Sequence, residues 1–447
     1  MKKVFRGLSN VEIIALGFAD IIMIGTVILM LPISSQNHQS ISFLDALFTA
    51  TSACCVTGLV VVDTYSYWSI FGQCVILLLI QIGGLGFITI GVFFATYFKR
   101  KISLKQRGLI EESINTLTLS GGVRLVKRII KGTLIFESIG AMILSIPFIH
   151  DFGVLRGIYY GVFHSISAFC NAGFDLLGII EPYGSITSYI ASPIINITIM
   201  SLIIIGGLGF IVWNDIYEKK FKFHHYLLQT KIVLLTSFLL IMGGAFLFYI
   251  LENQSALDGL SFNEKILASF FQSVTARTAG FNTVDITQLT TSSKMLMMFL
   301  MFIGGSPGST AGGIKTTTFA VIMIFIYTNI TNKSECNIFN RRFEMSAIKK
   351  ACTVLLINLL LIIIGTFLIT AFQPQLLFED ILFEVFSAIG TVGISTGITR
   401  SLIPISKIII IILMYSGRVG SLTFALSLTR KKKTSKIINP IEKIAIG

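Results

Sequence analysis

Four short stretches of the chain end in glycine: Val56-Thr57-Gly58, Asn171-Ala172-Gly173, Thr278-Ala279-Gly280 and Thr391-Val392-Gly393. Each glycine stands ten residues after a phenylalanine (Phe48, Phe163, Phe270 and Phe383) and just before a bulky apolar residue (Leu59, Phe174, Phe281 and Ile394). Side chains at matching positions differ while the glycine recurs, so the chemistry these positions can share is that of the backbone carbonyl. Glycine supplies backbone angles closed to other residues, which lets successive carbonyls point at one axis. Rings of carbonyls can replace the hydration shell of a monovalent cation. A tight turn would account for one such glycine; four in register imply a cation path, with these twelve residues as candidate ion ligands.

The stretches recur at intervals of roughly 110 residues, so the chain reads as four copies of one unit. Each loop lies between long apolar runs: Val11–Ser34, Ile70–Phe98, Arg124–Phe148, Ile194–Val212, Lys231–Ile250, Met295–Tyr327, Ala351–Phe372 and Ile405–Leu428. About 20 apolar residues cross the hydrocarbon core. The chain is 53% hydrophobic and 13% charged, against about 25% charged in soluble domains. The first apolar run is too long for a cleavable signal peptide. The expected fold is an all-α polytopic membrane protein with eight spanning helices. These form four tandem M1–pore-loop–M2 repeats in pseudo-fourfold arrangement around one ion pore. The repeats divide as 11–98, 99–215, 216–327 and 328–429, between an N-terminal segment 1–10 and a basic tail 430–447. Short helices are expected at Asp45–Ala53, Tyr159–Ala168, Glu264–Thr275 and Ile381–Ala388. Non-helical backbone at membrane depth is tolerated only when buried in protein or facing a water-filled cavity; four loops meeting on an axis satisfy that condition.

The formal net charge of +13 does not indicate a nucleic-acid partner, because most basic residues fall in segments alternating with pairs of apolar runs. Those segments are expected on the cytoplasmic side, which places both termini there. The opposite loops are mostly acidic, including Asp63, Asp175, Glu181, Asp258 and Asp285, and an acidic mouth raises the local cation concentration. Ordinary loop charge is an equal alternative. The six cysteines show no metal spacing, and Cys54 and Cys55 read as small apolar fillers.

The inner runs carry a second motif: Gly83-Gly84-Leu85-Gly86, Gly206-Gly207-Leu208-Gly209, Gly304-Gly305-Ser306-Pro307 and Gly417-Arg418-Val419-Gly420. Small residues let transmembrane backbones approach closely. No strand precedes these glycines, which argues against nucleotide binding. The third copy continues as Gly304-Gly305-Ser306-Pro307-Gly308-Ser309-Thr310-Ala311-Gly312-Gly313. Glycine costs about 1 kcal/mol and proline about 3 in a helix interior, so the helix should break here into a candidate gate beneath the loops. Arg418, at the matching depth of the fourth inner run, is expected to anchor that segment or oppose cations beside it. His164 and Glu384 should hydrogen-bond behind the loops, and Arg277 should brace loop carbonyls. Asp20 and Glu137 fall in spans without an identifiable partner.

These motifs together resemble the Trk/Ktr/HKT superfamily, through the TG-L, AG-F, AG-F and VG-I loop ends and the GGSPGSTAGG segment. The eight-span form and the ending Asn439–Gly447 are most similar to the membrane subunit of bacterial Ktr potassium-uptake systems. The resemblance implies potassium transport across the plasma membrane, with Gly58, Gly173, Gly280 and Gly393 as the filter glycines. Gly58 favours potassium, because some sodium-transporting relatives carry serine there. It further implies that Gly304–Gly313 is an intramembrane gating loop opposed by Arg418, that the subunit is a homodimer, and that it sits on a cytosolic ring of regulatory subunits. ATP or ADP would bind that ring and not this chain. Sodium stimulation is a trait of the family. The basic loops Lys99–Lys131, Lys219–Lys231 and Arg341–Lys350 become docking surfaces on this reading, with plain topology determination an equal alternative. The alternatives are a cation-coupled secondary transporter, which would usually show inverted two-fold repeats, or a sodium-permeable relative. A membrane enzyme would need a polar constellation, which the five scattered histidines do not make.

Overall fold

A computed structural model describes residues 9–97, 108–109, 122–220, 222–333, 335–427 and 442. The N-terminal segment, most of the Lys99–Lys131 loop and the basic tail fall largely outside the described residues. Four long outer helices, Asn10–Leu29, Gly122–Phe152, Leu228–Glu252 and Met345–Phe372, are apolar and long enough to cross a membrane. Each is followed by a short helix: Phe43–Cys55, Val154–Phe169, Phe262–Thr275 and Phe378–Gly390. Local chemistry sets their starts. Ser42 accepts from the Asp45 N–H, and Ser261 and Glu264 form a capping box. The first and fourth stop where Val56 and Thr391 enter the left-handed region.

The inner runs are not continuous helices. The first is Ile70–Leu85 followed by Phe87–Tyr97 and the second Pro193–Leu208 followed by Phe210–Lys219, each bent by 91°. The fourth divides into Pro404–Val419 and Ser421–Ser427. All three turn at the last glycine of the second motif, Gly86, Gly209 and Gly420, with φ of 80°, 92° and 97°. Such angles are strained for any residue with a Cβ. The third inner run breaks as expected, into Thr291–Phe302 and Thr316–Ile330.

The leading glycines of the second motif have a packing role. A Cβ on Gly83, Gly206 or Gly417 would strike the carbonyl of Cys54, Phe169 or Ile389, near the C-terminal end of the short helix in the same repeat. The repeats are then tied to one another at the outer ends of the inner helices. Lys407 pairs with Asp45 at 2.6 Å, and Lys294 with Glu379 at 3.1 Å. The Tyr159 hydroxyl donates to Gln73 at 2.9 Å. Each contact joins an inner helix to the short helix of the next repeat, the fourth repeat returning to the first. Asn196 of the second repeat instead donates to carbonyls of its own preceding loop.

One register differs from the sequence reading. Phe48, Phe163 and Phe383 are fully buried, and their partner in the third repeat is the fully buried Phe271, not the half-buried Phe270. The third loop is one residue tighter. Thr57, Ala172 and Val392 donate to the carbonyl five residues earlier (Ser52, Ser167 and Ser387), whereas Ala279 donates to Thr275, four residues earlier.

Candidate functional site

The four loops share one backbone course. Val56, Asn171, Thr278 and Thr391 have φ of 57°, 60°, 104° and 50°, and Gly58, Gly173, Gly280 and Gly393 have 94°, 70°, 90° and 92°. The residue between lies outside the positive-φ region in every copy. Alternating signs of φ turn consecutive carbonyls toward the same side. A hydroxyl stands behind each loop. Ser52 and Ser387 accept from the N–H of Gly58 and Gly393 at 3.1 and 3.0 Å. Ser167 and Thr275 donate to the carbonyls of Phe174 and Phe281 at 2.7 Å. Sequence reasoning missed these four residues. Their signal was a hydroxyl four residues after each buried phenylalanine. Leu59, Phe174, Phe281 and Ile394 are buried and anchor the outgoing strand of each loop.

The loops close into a ring. A Cβ on Gly58 would strike the Ala172 carbonyl, one on Gly173 that of Ala279, one on Gly280 that of Val392, and one on Gly393 that of Thr57. Each loop glycine therefore abuts the carbonyl before the next glycine, and the fourth meets the first. Among the described residues, no protein donor bonds to a carbonyl of the twelve loop residues. Above the ring is a cavity of about 590 Å³ lined by the four glycines, Asp63, Asp175, Glu181, Asp258 and Asp285, with Arg400 the one basic lining residue. Asp63 accepts from the N–H of Ser66 and of Tyr183. Burial pushes the Asp175 carboxyl, which stands outside the spanning helices, up to about 7; the nearby Asp63 adds to the rise and the Leu177 N–H opposes it.

The Gly304–Gly313 segment crosses beneath the ring. Ser306 and Thr310 donate backbone N–H groups to Gly207 and Gly206, and the Gly308 carbonyl accepts from Phe210 at 2.7 Å. The Pro307 carbonyl lies against Gly209. The Ser309 hydroxyl donates to Ser306, and that of Thr310 to Phe169. The Gly305 carbonyl accepts from Thr316, and Gly304 packs against the Gly312 carbonyl. On the far side Gly312 abuts the Thr391 side chain and Gly313 the Gly390 carbonyl. Lys315 donates to the carbonyls of Ala311 and Gly312 at 2.8 and 3.4 Å. Arg418 donates to the carbonyls of Thr310, Gly83 and Gly84. The segment is thus held by the second and fourth repeats, and Arg418 links its Thr310 carbonyl to the first inner helix.

Other expected residues divide. His164 bonds the Tyr160 carbonyl and accepts from the Leu176 N–H, and Glu384 accepts from Ser395 and Thr399, all behind the loops. Arg277 does not brace loop carbonyls; it is buried and donates to the Ser237 hydroxyl at 3.3 Å. Its position just past the end of the third short helix turns the guanidinium toward an outer helix. Glu137 accepts from Gln81 at 3.2 Å. Asp20 is exposed on the first outer helix, and nothing in the structure explains it. Cys54 and Cys55 are fully buried fillers. The basic surface Lys219–Lys231 lies against the hairpin turn that leads into Arg341–Lys350: the Phe223 and Phe339 rings lie 6.1 Å apart, with Lys231 over both.

A ring of backbone carbonyls under an acidic mouth, carried between apolar spans, defines a membrane cation transporter rather than an enzyme. The chain belongs to the TrkH family of cation transport proteins, whose model matches residues 11–438. It is 41% identical to the potassium/sodium uptake protein NtpJ of Enterococcus hirae, over 100% of this chain and 99% of that protein. It is also 41% identical to the Ktr system potassium uptake protein B of Bacillus subtilis, over 95% and 94%. The solved structure of the potassium transporter TrkH from Vibrio parahaemolyticus has the same fold, with a TM-score of 0.75 at 17% identity, covering 95% of this chain and 86% of that one. The chain is accordingly a multi-pass membrane protein of the Trk/Ktr family.

Proposed function

We propose that this chain is the potassium-conducting membrane subunit of a Ktr-type uptake system in the plasma membrane, with both termini cytoplasmic. The observation that carries the reading is the closed ring of four loops whose carbonyls receive no hydrogen bond from the protein among the described residues. Buried carbonyls left unpaired are costly, and a dehydrated monovalent cation is the ligand that satisfies several at once. Outer, short and inner helices in each copy support eight passes in pseudo-fourfold arrangement, divided at the boundaries given above. Potassium gathers in the acidic cavity, exchanges water for the carbonyls of Val56–Gly58, Asn171–Gly173, Thr278–Gly280 and Thr391–Gly393, and meets the Gly304–Gly313 loop as a gate. Arg418 holds the gate shut by its bonds to the loop and to the first inner helix.

Regulation is assigned to a cytosolic nucleotide-binding ring docked on the basic surfaces, beneath a homodimer of this chain. The name of the Enterococcus relative supports sodium as a second transported or stimulating ion; glycine rather than serine at position 58 favours potassium. The test is potassium uptake in cells lacking their own systems, with the regulatory partner present, comparing wild type with Gly58→Ser. Uptake with weakened potassium preference in the variant is expected. A well-expressed wild type that moves no potassium refutes the reading, and flux locked to a driving ion would turn it into a coupled transporter.

A further inference from the structure

Below the gating loop lies a second cavity, of about 480 Å³, whose chemistry is opposite to that of the outer one. Among the described residues, its charged lining residues are Lys315, Lys350 and Arg418, with no Asp or Glu. Three cations on the route of a cation need a counter-charge. Arg418 and Lys315 are partly occupied by backbone carbonyls of the loop and of the first inner helix, which satisfy donors without cancelling charge. Two carbonyls leave Lys315 one N–H of its three. Lys350 is exposed and makes no ion pair among the described residues. Phe87 and Ile88, in the first turn of an eleven-residue helix, also line the cavity. Their N–H groups have no intrahelical acceptor, and such a turn favours an anion.

We propose that this cavity binds a phosphate group, carried by an anionic lipid headgroup or by a soluble phosphate. Two lysines, a guanidinium and free backbone N–H groups are the donors phosphate takes. The volume lies in the range of ligand sites. The rest of the lining mixes hydroxyl residues (Ser309, Thr318, Ser421 and Thr423) with an apolar part, Val11, Phe18, Val354 and Leu426, and the apolar part suits an acyl chain beside a headgroup. Val11 and Lys350 stand in the first two turns of outer helices, at the ends joined to the basic segments. The opening therefore lies at the level where anionic headgroups concentrate. Occupancy would cancel positive charge just below the gate and so ease the exit of a cation, a consequence that rests on the gate reading; the binding itself does not.

The test is thermal denaturation and native mass spectrometry of the full-length protein in a neutral detergent. Dioleoylphosphatidylglycerol, dioleoylphosphatidylcholine and inorganic phosphate are titrated separately. Wild type should be stabilised by phosphatidylglycerol or by phosphate but not by phosphatidylcholine. Half-saturation should weaken at least tenfold in Lys350→Gln, which removes an exposed side chain from the cavity rim, and further in Lys315→Gln. Stabilisation by phosphatidylglycerol alone assigns the site to lipid; saturation by inorganic phosphate that competes with the lipid assigns it to a soluble ligand. Absence of both responses, or equal responses in wild type and Lys350→Gln, overturns the proposal. Rubidium flux is read separately, so a protein that binds but does not transport would refute the proposed function and leave this site standing.

Discussion

Replacing Arg418 with alanine isolates the strongest tie on the gating loop. The guanidinium reaches three carbonyls: one on the loop itself, at Thr310, and two on the first inner helix, at Gly83 and Gly84. A hydrogen bond to a charged group contributes about 1.5–3 kcal/mol, and only the Thr310 bond distinguishes a docked from an undocked loop. Its loss should shift the docked/undocked ratio by roughly 10- to 150-fold. The bonds of Ser306 and Thr310 to the second inner helix remain, so the protein should stay folded. Rubidium uptake into proteoliposomes holding this subunit without a regulatory partner should rise about tenfold or more in Arg418→Ala. Arg418→Lys, which keeps the charge but not the fork, should fall between. Equal partner-free flux in wild type and both variants, at equal incorporation, would refute the assignment of Arg418 to the gate.

Other predictions follow from single contacts. With the Asp175 carboxyl pushed up to about 7, the outer cavity carries one more negative charge above that pH than below it. One charge at roughly 8 Å in water contributes about 0.5 kcal/mol, so the KM for potassium should rise about twofold from pH 8 to pH 6, and Asp175→Asn should flatten that change. Asp45→Asn, which breaks the half-buried pair with Lys407, should cost about 1 kcal/mol, read as a Tm lowered by a few degrees. The exposed Glu335–Arg342 pair should be nearly silent on Arg342→Gln in the same measurement. Gly86→Ala meets only Thr89 at 4.0 Å, whereas a Cβ on Gly209 lies 2.6 Å from the Pro307 carbonyl. Both should lose about 1–3 kcal/mol to backbone strain, but only Gly209→Ala should also raise partner-free flux; equal flux changes would contradict the docking of the loop on that helix break.

The parts legible in the sequence were those fixed by one residue type at one spacing. Gly58, Gly173, Gly280 and Gly393 were visible because no side chain tolerates their position, and the Gly304–Gly313 break because glycine and proline both oppose a helix. The right-angle turns at Gly86 and Gly209 and the helix break at Gly420 escaped notice. An apolar run reads as a continuous span until the sign of φ at its last glycine is known. The third loop's register slipped from Phe271 to Phe270 because two adjacent phenylalanines are equivalent in a pattern and differ only in burial. Arg277 was misassigned because spacing along the chain does not say to which side of a loop a long side chain turns. The pairing of Lys407 with Asp45 could not be read either, since it joins the ends of the chain through closure of the ring.

The interlock of the four loops has a consequence for how asymmetry is tolerated. Each glycine is set by the carbonyl of its neighbour, so the width of the ring is a collective quantity that no single quadrant can adjust alone. Beneath it, the quadrants are free to diverge because they are segments of one chain and not copies of one subunit. A symmetric tetramer carrying this broken segment would have to fit four of them under one aperture. Here one quadrant supplies the crossing segment, the next the arginine bonded to it, the second a surface it rests on, and the first the carbonyls that share that arginine. The aperture keeps its regularity because the machinery below it has given its own regularity up.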